Sequence, residues 1–395
     1  MESQIKSNDN EIDVSVVMPC LNEEEMIGIC IEKTKKAFKD HDIKGEIIVS
    51  DNGSKDRSVE IALNSGARVV HQPLRGYGNA YMKGIESAKG KYVVMGDADN
   101  TYDFSEIHKF IEPLKKGADM VMGSRLKGKI HKGAMPFLHR YIGNPVLSGI
   151  LELMFKAKVS DAHCGMRSFR REVFDKLCLK TPGMEFASEM IIKAAKARLK
   201  IEDIPITYYP REGESKLRTF KDGWRHLRFM LLLSPEYLFI LPGIIMLLFG
   251  LTSLIALIGG PIAILNHKFD LHMMILSSFF TISGLQVLSL GLFTQIYSHN
   301  LFASDNKLVT FFIKCFTLEK GIYSGLFFLM VGFLFCVKVL YNYLHAITGD
   351  SIYYNARFAV FGVTMMIMGL QLIFSSFYVS FLNLKKEHED FNYMS

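Results

Sequence analysis

The sequence is poor in several features that would define other kinds of protein. Of its 395 residues only one is tryptophan, Trp224, and the six cysteines (Cys20, Cys30, Cys164, Cys178, Cys315, Cys336) lack the paired spacing of zinc ligands. They are expected to be reduced core or lining residues. There is no Walker phosphate loop. The Gly-x-Gly at Gly76-Tyr77-Gly78 is not a dinucleotide fingerprint, because Tyr81 stands where the third glycine is needed. The net charge of +6 is modest and comes without a nucleic-acid-binding motif, so a basic face turned to anionic lipid is the simpler reading. Met1 to Asn10 is polar and lacks the apolar core of a cleavable signal, so the amino-terminal part is expected to stay cytoplasmic.

Charge is also missing from long stretches of the second half. Tyr237 to Leu265, Leu271 to Tyr297 and Phe358 to Leu384 contain no Asp, Glu, Lys or Arg, and Gly321 to His345 contains only Lys338. Each run exceeds the ~20 residues that cross a bilayer as a helix. The chain therefore reads as a soluble head followed by four transmembrane helices, an integral multi-pass membrane protein. Lys307, Lys314 and Lys320 between the second and third spans, and Lys385 and Lys386 after the fourth, fall on the cytoplasmic side with the head. Lys338 alone forms no ion pathway, so a transporter is disfavoured. Gly284 and Gly291 permit close helix packing and leave a homo-oligomer open.

The head alternates strands and helices. Val14–Met18, Glu46–Ser50, Ala67–His71, Tyr92–Met95 and Met120–Met122 read as buried strands, and the intervening segments as helices. That order predicts an α/β fold with a mostly parallel, doubly wound sheet. Acidic loops follow three of these strands: Asn22-Glu23, Asp51-Asn52-Gly53-Ser54-Lys55-Asp56, and Asp97-Ala98-Asp99. Each could be only a turn or a helix cap. Yet ligands in such sheets collect at the strands' carboxyl ends, and two carboxylates one residue apart can share a hard divalent cation that holds a diphosphate. Arg75-Gly76-Tyr77-Gly78 could cradle phosphate through backbone N–H groups. Arg125 to Asn144 is basic and glycine-containing, a solvated loop or a phosphate-gripping one.

In order, these motifs resemble those of the GT-A-fold, family 2 inverting glycosyltransferases, in the branch acting on polyprenyl phosphates that includes dolichol-phosphate mannose and glucose synthases. The resemblance covers Val14 to Pro235. It implies that Pro19, Asn22, Glu23 and Asp51 hold the base and ribose of a nucleotide-sugar donor, with Asn52 standing where the family has a second Asp. It implies that Arg75 and Gly76 lie on the phosphate side, and that Asp97, Ala98 and Asp99 form the Asp-x-Asp element whose carboxylates bind Mg²⁺ or Mn²⁺. Mannosyl members often place Gln where this chain has Thr101. Arg211, Ser215 and Lys216 resemble a cationic loop covering the diphosphate.

On the acceptor side the resemblance implies Arg125, Lys132, Arg140, Asn144 and Arg167 as contacts to a polyprenyl or dolichyl phosphate. Asp161-Ala162-His163-Cys164-Gly165-Met166-Arg167 is similar to the family's Asp-x-x-Ser-Gly-Phe-Arg. By that likeness Asp161 is a base or an acceptor-orienting group, Arg125 and Arg167 act catalytically beside it, and Glu189 is a second candidate base. Trp224 does not stand in the Gln-x-x-Arg-Trp of processive synthases. Phe220, Trp224, Leu227 and Leu231 form one helical stripe and Lys221, Arg225 and Arg228 a cationic one, which predicts a helix lying in the membrane interface. The expected division is a GT-A domain over 1–219, this helix over 220–236 and a four-helix membrane domain over 237–395. UDP-glucose is the expected donor, with GDP-mannose next. Transfer to a lipid hydroxyl is the alternative reaction, and a catalytically silent sugar-nucleotide sensor the alternative class.

Overall fold

The computed structural model describes residues 12–211, 219–264, 267–302, 317–345 and 351–392. They divide into two compact units that meet in sequence at Met230 and Leu231.

β-Branched apolar runs make the strands of the first unit. These are Val14–Cys20 (β1), Gly45–Asp51 (β2), Arg68–His71 (β3), Tyr92–Met95 (β4), Met120–Ile130 (β5), Arg167–Arg170 (β6) and Ile201–Tyr208 (β7). They hydrogen-bond in the order β3-β2-β1-β4-β6-β5-β7. β6 runs antiparallel to β4 and β5, and the other pairings are parallel. The sheet is thus mostly parallel, as the sequence implied. The chain winds outward from β1 to β3 and then returns to place β4 on β1's other side. The switch point lies between the carboxyl ends of β1 and β4, where an open sheet leaves a crevice.

Helices Ile27–Asp40 (α1), Ser58–Asn64 (α2), Tyr77–Glu86 (α3) and Ile107–Lys115 (α4) connect the early strands. α1 buries Ile27, Cys30, Ile31, Thr34 and Ala37, and α4 buries Ile107, Phe110, Ile111 and Leu114. That spacing is one face of an amphipathic helix. Both faces join a core with Val16, Met18, Val49, Val94 and Phe104.

Two segments differ from the sequence reading. β5 does not stop at Met122 but runs to Ile130, with its register against β7 shifting between Ser124 and Lys129. Such a bulge bends a strand and re-aims its side chains, and here it turns Arg125 inward. The remainder of the basic stretch stays a loop only over 131–136. It becomes a wide turn of helix at His139–Gly143 that continues into Asn144–Phe155 (α5). Arg171–Leu177 (α6), Phe186–Lys196 (α7) and Thr219–Leu232 (α8) complete the helices of this part.

Among the described residues of the second unit four helices are long and apolar enough to span a membrane: Glu236–Leu257, Leu271–Tyr297, Leu318–Leu344 and Asn355–Leu382. They belong to Leu241–Leu257 (α9) with the turn before it, Leu271–Phe302 (α10), Leu318–Leu344 (α11) and Ser351–Asn392 (α12). Glycines let the backbones approach, since lipid offers no hydrophobic drive between helices. An added Cβ at Gly284 would lie 2.4 Å from Leu247 N, and one at Gly332 2.4 Å from Gly362 O. Gly291 likewise meets Phe239 and Ile240. Gly284 and Gly291 therefore serve contacts within this chain. Lys338 lies 4.3 Å from the centre of the Phe358 ring, and Arg357 donates to Asp270 at 3.0 Å through Nε. Lys307 and Lys314 lie outside the described residues.

Candidate active site

The turn after β4 carries the acidic pair to the switch point. Asn100 adopts φ +59°, in the left-handed region that Asn tolerates, and Lys33 of α1 donates to its side-chain oxygen at 2.8 Å. Asp99 is buried. Its Oδ1 accepts from the Thr101 hydroxyl (2.6 Å) and backbone N–H (3.2 Å), while Oδ2 lies 3.3 Å from the Arg211 guanidinium. Thr101 thus orients Asp99, with its proton directed at the carboxylate. Arg211 also donates to Glu23 Oε1 at 2.9 Å, joining the loop after β1 to the loop after β4.

Asp97 is held by two side chains the sequence reading missed. The Tyr77 and Tyr81 hydroxyls donate to its Oδ1 at 3.0 and 3.1 Å. They lie one turn apart on α3, so they share a face. Their spacing was visible, but tyrosines at helical period read as core. Burial, then the Asp99 charge, pushes the Asp97 carboxyl up to about 6, against the opposing effect of the two phenols. On the other side Gly165 leaves room for the carboxylate, since a Cβ there would stand 2.6 Å from Asp97 Oδ2.

The chemistry of this pair fits a hard divalent cation, with a diphosphate supplying the remaining oxygens. Among the described residues no group of three or more His, Cys, Asp or Glu side chains forms a complete protein cage. A carboxylate must be ionised to bind metal. Metal affinity is therefore expected to be full above neutrality and to fall as pH drops through about 6. Tyr77→Phe with Tyr81→Phe removes the donors that lower this value, so the fall should begin at higher pH. Titrating Mn²⁺ binding against pH checks this, and an unmoved profile would contradict it.

The loops expected to hold a donor interlock. Asn22, at φ +54°, accepts from Lys55 N–H (2.8 Å), and its own N–H donates to Ser54 (3.1 Å). Asp51 accepts from the Gly53 and Ser54 N–H groups and from His71. Burial raises the Asp51 carboxyl, but the donors outweigh it and hold it below its ordinary value. Pro19 and Cys20 close β1 beside this loop. The Asn52 amide donates to Gln72 O (3.0 Å) and Leu74 O (2.8 Å), and its oxygen accepts from Gly76 N–H (2.8 Å). An aspartate could accept but not donate, which explains the departure from two consecutive Asp residues. Asn52→Asp would face two carbonyls with a carboxylate and is expected to cost about 2–3 kcal/mol. Thermal melting measures it.

The glycine pair is not a phosphate cradle here. Gly78 and Asn79 N–H both donate to Pro182 O (2.9 and 3.3 Å), and Gly76 N–H serves Asn52. A Cβ at Gly76 would lie 2.2 Å from Pro182 O, and one at Gly78 2.0 Å from Thr181 O. The glycines allow two backbones to touch. Arg75 is exposed beside Gly53, donating to its carbonyl at 3.2 Å.

Four charged residues expected on the acceptor side, Asp161, Arg125, Arg167 and Glu189, are instead committed inside. Asp161 is fully buried and accepts from Arg125 Nε (2.7 Å), a terminal guanidinium N–H (2.8 Å) and the Arg125 backbone N–H (3.1 Å). The pair is bidentate, with the guanidinium 5.2 Å from the Tyr208 ring centre. Arg125 is accordingly held charged, the Asp161 carboxylate overriding the effect of burial. Arg167 is fully buried and donates to the carbonyls of Cys164, Ala187 and Ala162, so it ties β6 to α7. Glu189 accepts from Lys180 and Thr181 and pairs with Lys193 at 2.8 Å, anchoring the segment that packs on Gly76 and Gly78. The Cys164 thiol, pushed up to about 12 by burial, is not poised as a nucleophile.

Of the expected acceptor contacts, Lys132 is exposed, and Arg140 lies with its guanidinium 5.3 Å from the Tyr141 ring centre. Asn144 donates to Met135 Sδ at 3.6 Å. The helix they flank exposes Phe137, Tyr141, Ile142, Val146 and Leu153 along one side. α8 buries His226 and Met230 and exposes Trp224. Arg225 there pairs with Glu185 at 3.6 Å. Ser215, Lys216 and the side chain of Lys221 lie outside the described residues.

Residues 15–178 match the model of the glycosyl transferase family 2 domain, and residues 292–383 that of the glycosyltransferase family 2 C-terminal transmembrane region. The chain is 41% identical over 365 residues to the low-salt glycan biosynthesis hexosyltransferase Agl6 of Haloferax volcanii, covering 92% of this chain and 87% of that one. It is 35% identical over 213 residues to a dolichyl-phosphate hexose transferase of the same organism, covering 53% of this chain and 89% of that one. A solved glucosyl-3-phosphoglycerate synthase from Mycobacterium tuberculosis aligns at 23% identity and a TM-score of 0.45, over 55% of this chain and 78% of its own.

Proposed function

The chain belongs to glycosyltransferase family 2, and we propose that it moves a hexose from a nucleotide sugar to a polyprenyl or dolichyl phosphate, with inversion at the anomeric carbon. The observation that carries the reading is the pair Asp97–Asp99 at the switch point of the sheet, with Glu23 and Arg211 closing the crevice around it. A relative named for dolichyl-phosphate hexose transfer supports the acceptor class. UDP-glucose is the first choice of donor and GDP-mannose the second.

The residues divide the work. Pro19, Asn22, Glu23 and Asp51 line the loops that would hold base and ribose. Asp97 and Asp99 would hold Mg²⁺ or Mn²⁺, which supplies Lewis-acid stabilisation of the departing diphosphate when bound. Arg211 and Arg75 bring cationic donors to the same charge. Arg125, kept in place by Asp161, shapes the acceptor side at the bulge of β5. Asp161 and Glu189 both have their oxygens engaged, which suits an acceptor that arrives ionised and needs no base. A phosphate oxygen is such a nucleophile, whereas a lipid hydroxyl is not.

A lipid acceptor also fits the apolar side of the 137–153 helix, whose aromatic and aliphatic groups stand beside Lys132 and Arg140. The positive charge of Lys307, Lys314, Lys320, Lys385 and Lys386 supports a catalytic unit on the cytoplasmic side. The test is a donor panel offered to the full chain in lipid nanodiscs with a short polyprenyl phosphate. A β-linked polyprenyl-phosphate hexose is the expected product. Glycosylated diacylglycerol, or nucleotide-sugar binding with no transfer to any prenyl phosphate, would overturn the assignment.

A further inference from the structure

The acidic pair is not bare. Asp99 Oδ2, the oxygen that Thr101 leaves open, lies against one terminal nitrogen of Arg211, and the other terminal nitrogen lies on Glu23. One guanidinium thus neutralises two carboxylates belonging to two different loops. Its Nε is buried with no hydrogen-bond partner among the described residues, so the head group is placed by its ion pairs alone. The contact at Asp99 is long for a charge-assisted bond, 3.3 Å against 2.9 Å at Glu23. The Asp99 contact is the looser of the two.

The geometry points to Arg211 as an exchangeable counter-ion. In the donor-free protein it stands in for the divalent cation at Asp99. When the metal arrives with the nucleotide, Arg211 yields Asp99 and pairs with the diphosphate. The inference rests on the reading of Asp97–Asp99 as a metal site. Electrostatics favours the exchange: a divalent ion and a guanidinium on Oδ2 repel each other, and a diphosphate offers Arg211 a richer set of oxygens. Metal alone is then disfavoured and metal with nucleotide is favoured, so Arg211 couples the two ligands. Such coupling is reciprocal.

The coupling has an unusual signature. Loss of a donor-binding residue ordinarily weakens every ligand, whereas here one ligand should gain. The full chain in nanodiscs is titrated with Mn²⁺ alone, followed by electron paramagnetic resonance, and then with UDP or GDP at saturating Mn²⁺. Arg211→Gln is expected to bind Mn²⁺ alone about tenfold more tightly, about 1.4 kcal/mol, and the nucleotide about tenfold more weakly. Arg211→Lys keeps the charge and should leave the affinity for Mn²⁺ alone near that of the parent. Melting curves confirm that the variants are folded. Unchanged or weaker Mn²⁺ binding in Arg211→Gln, with normal binding in the parent, overturns the counter-ion role and leaves the metal site standing. An equal gain in Arg211→Lys overturns it too, because charge would not be the cause. A parent protein that binds no Mn²⁺ even with saturating UDP or GDP overturns the metal reading and this inference with it.

Discussion

Asp99→Ala is expected to lower sugar transfer by about a thousandfold under metal-replete conditions, roughly 4 kcal/mol of transition-state stabilisation. The size follows from what the side chain touches. Asp99 offers one oxygen to Thr101 and turns the other into the crevice, where Arg211 meets it. Alanine deletes the group that would hold the metal and releases Arg211 from one of its two partners. The structural cost should be modest, because Asp99 ends a turn whose Asn100 is independently held by Lys33. Melting temperature should change little while turnover collapses. Near-parental turnover in a folded, membrane-inserted Asp99→Ala protein would sink the assignment of the pair.

Asp161→Ala is expected to act through the fold. Removing one partner of a buried, bidentate ion pair leaves the other charge without compensation and costs about 3–5 kcal/mol. Arg125 cannot turn to water, since it is buried between Asp161 and the Tyr208 ring. A marginally stable unit loses much of its stability at that cost. The prediction is a large drop in melting temperature and poor recovery of folded protein. The double variant Arg125→Met with Asp161→Leu should restore much of the stability, because apolar isosteres remove both charges together. If Asp161 were the base, Asp161→Ala would keep the parental melting temperature and lose only turnover, and that outcome would reverse the reading.

These two variants mark how far the sequence could be read. The strands were legible because Val, Ile and Met runs such as Val14–Met18 and Tyr92–Met95 have few ways to be buried other than in a sheet covered on both faces. The four spans were legible because long uncharged runs are costly anywhere but in lipid. The position of Asp99 was legible because an acidic pair past a strand end lies at the carboxyl edge of the sheet. The limit came with charge in the interior. Asp161, Arg167 and Glu189 share motifs with groups that face ligands, and one-dimensional spacing does not reveal whether a charged side chain points into a crevice or into a neighbour. Arg167 meets carbonyls 20 residues away, at Ala187, and Asp161 meets a strand 36 residues back. The phenols on Asp97 stayed hidden for the converse reason: Tyr77 and Tyr81 look apolar by period while their hydroxyls do polar work.

The reversed direction of β6 has an effect on how such a protein can diversify. β4 ends where β6 begins, with Met95 opposite Arg167. The Gly165 loop therefore reaches Asp97 without a crossover, and the excursion over residues 131–160 leaves the sheet at β5 and returns beside it. The crevice proposed for the donor is framed by β1, β2 and β4, which that excursion does not connect. Insertions or exchanges within 131–160 can change the surface proposed to meet the acceptor while the strands that frame the crevice keep their register. One half of the substrate pair can thus drift while the other stays fixed, and chimaeras cut at these strand ends should inherit acceptor choice separately from donor choice.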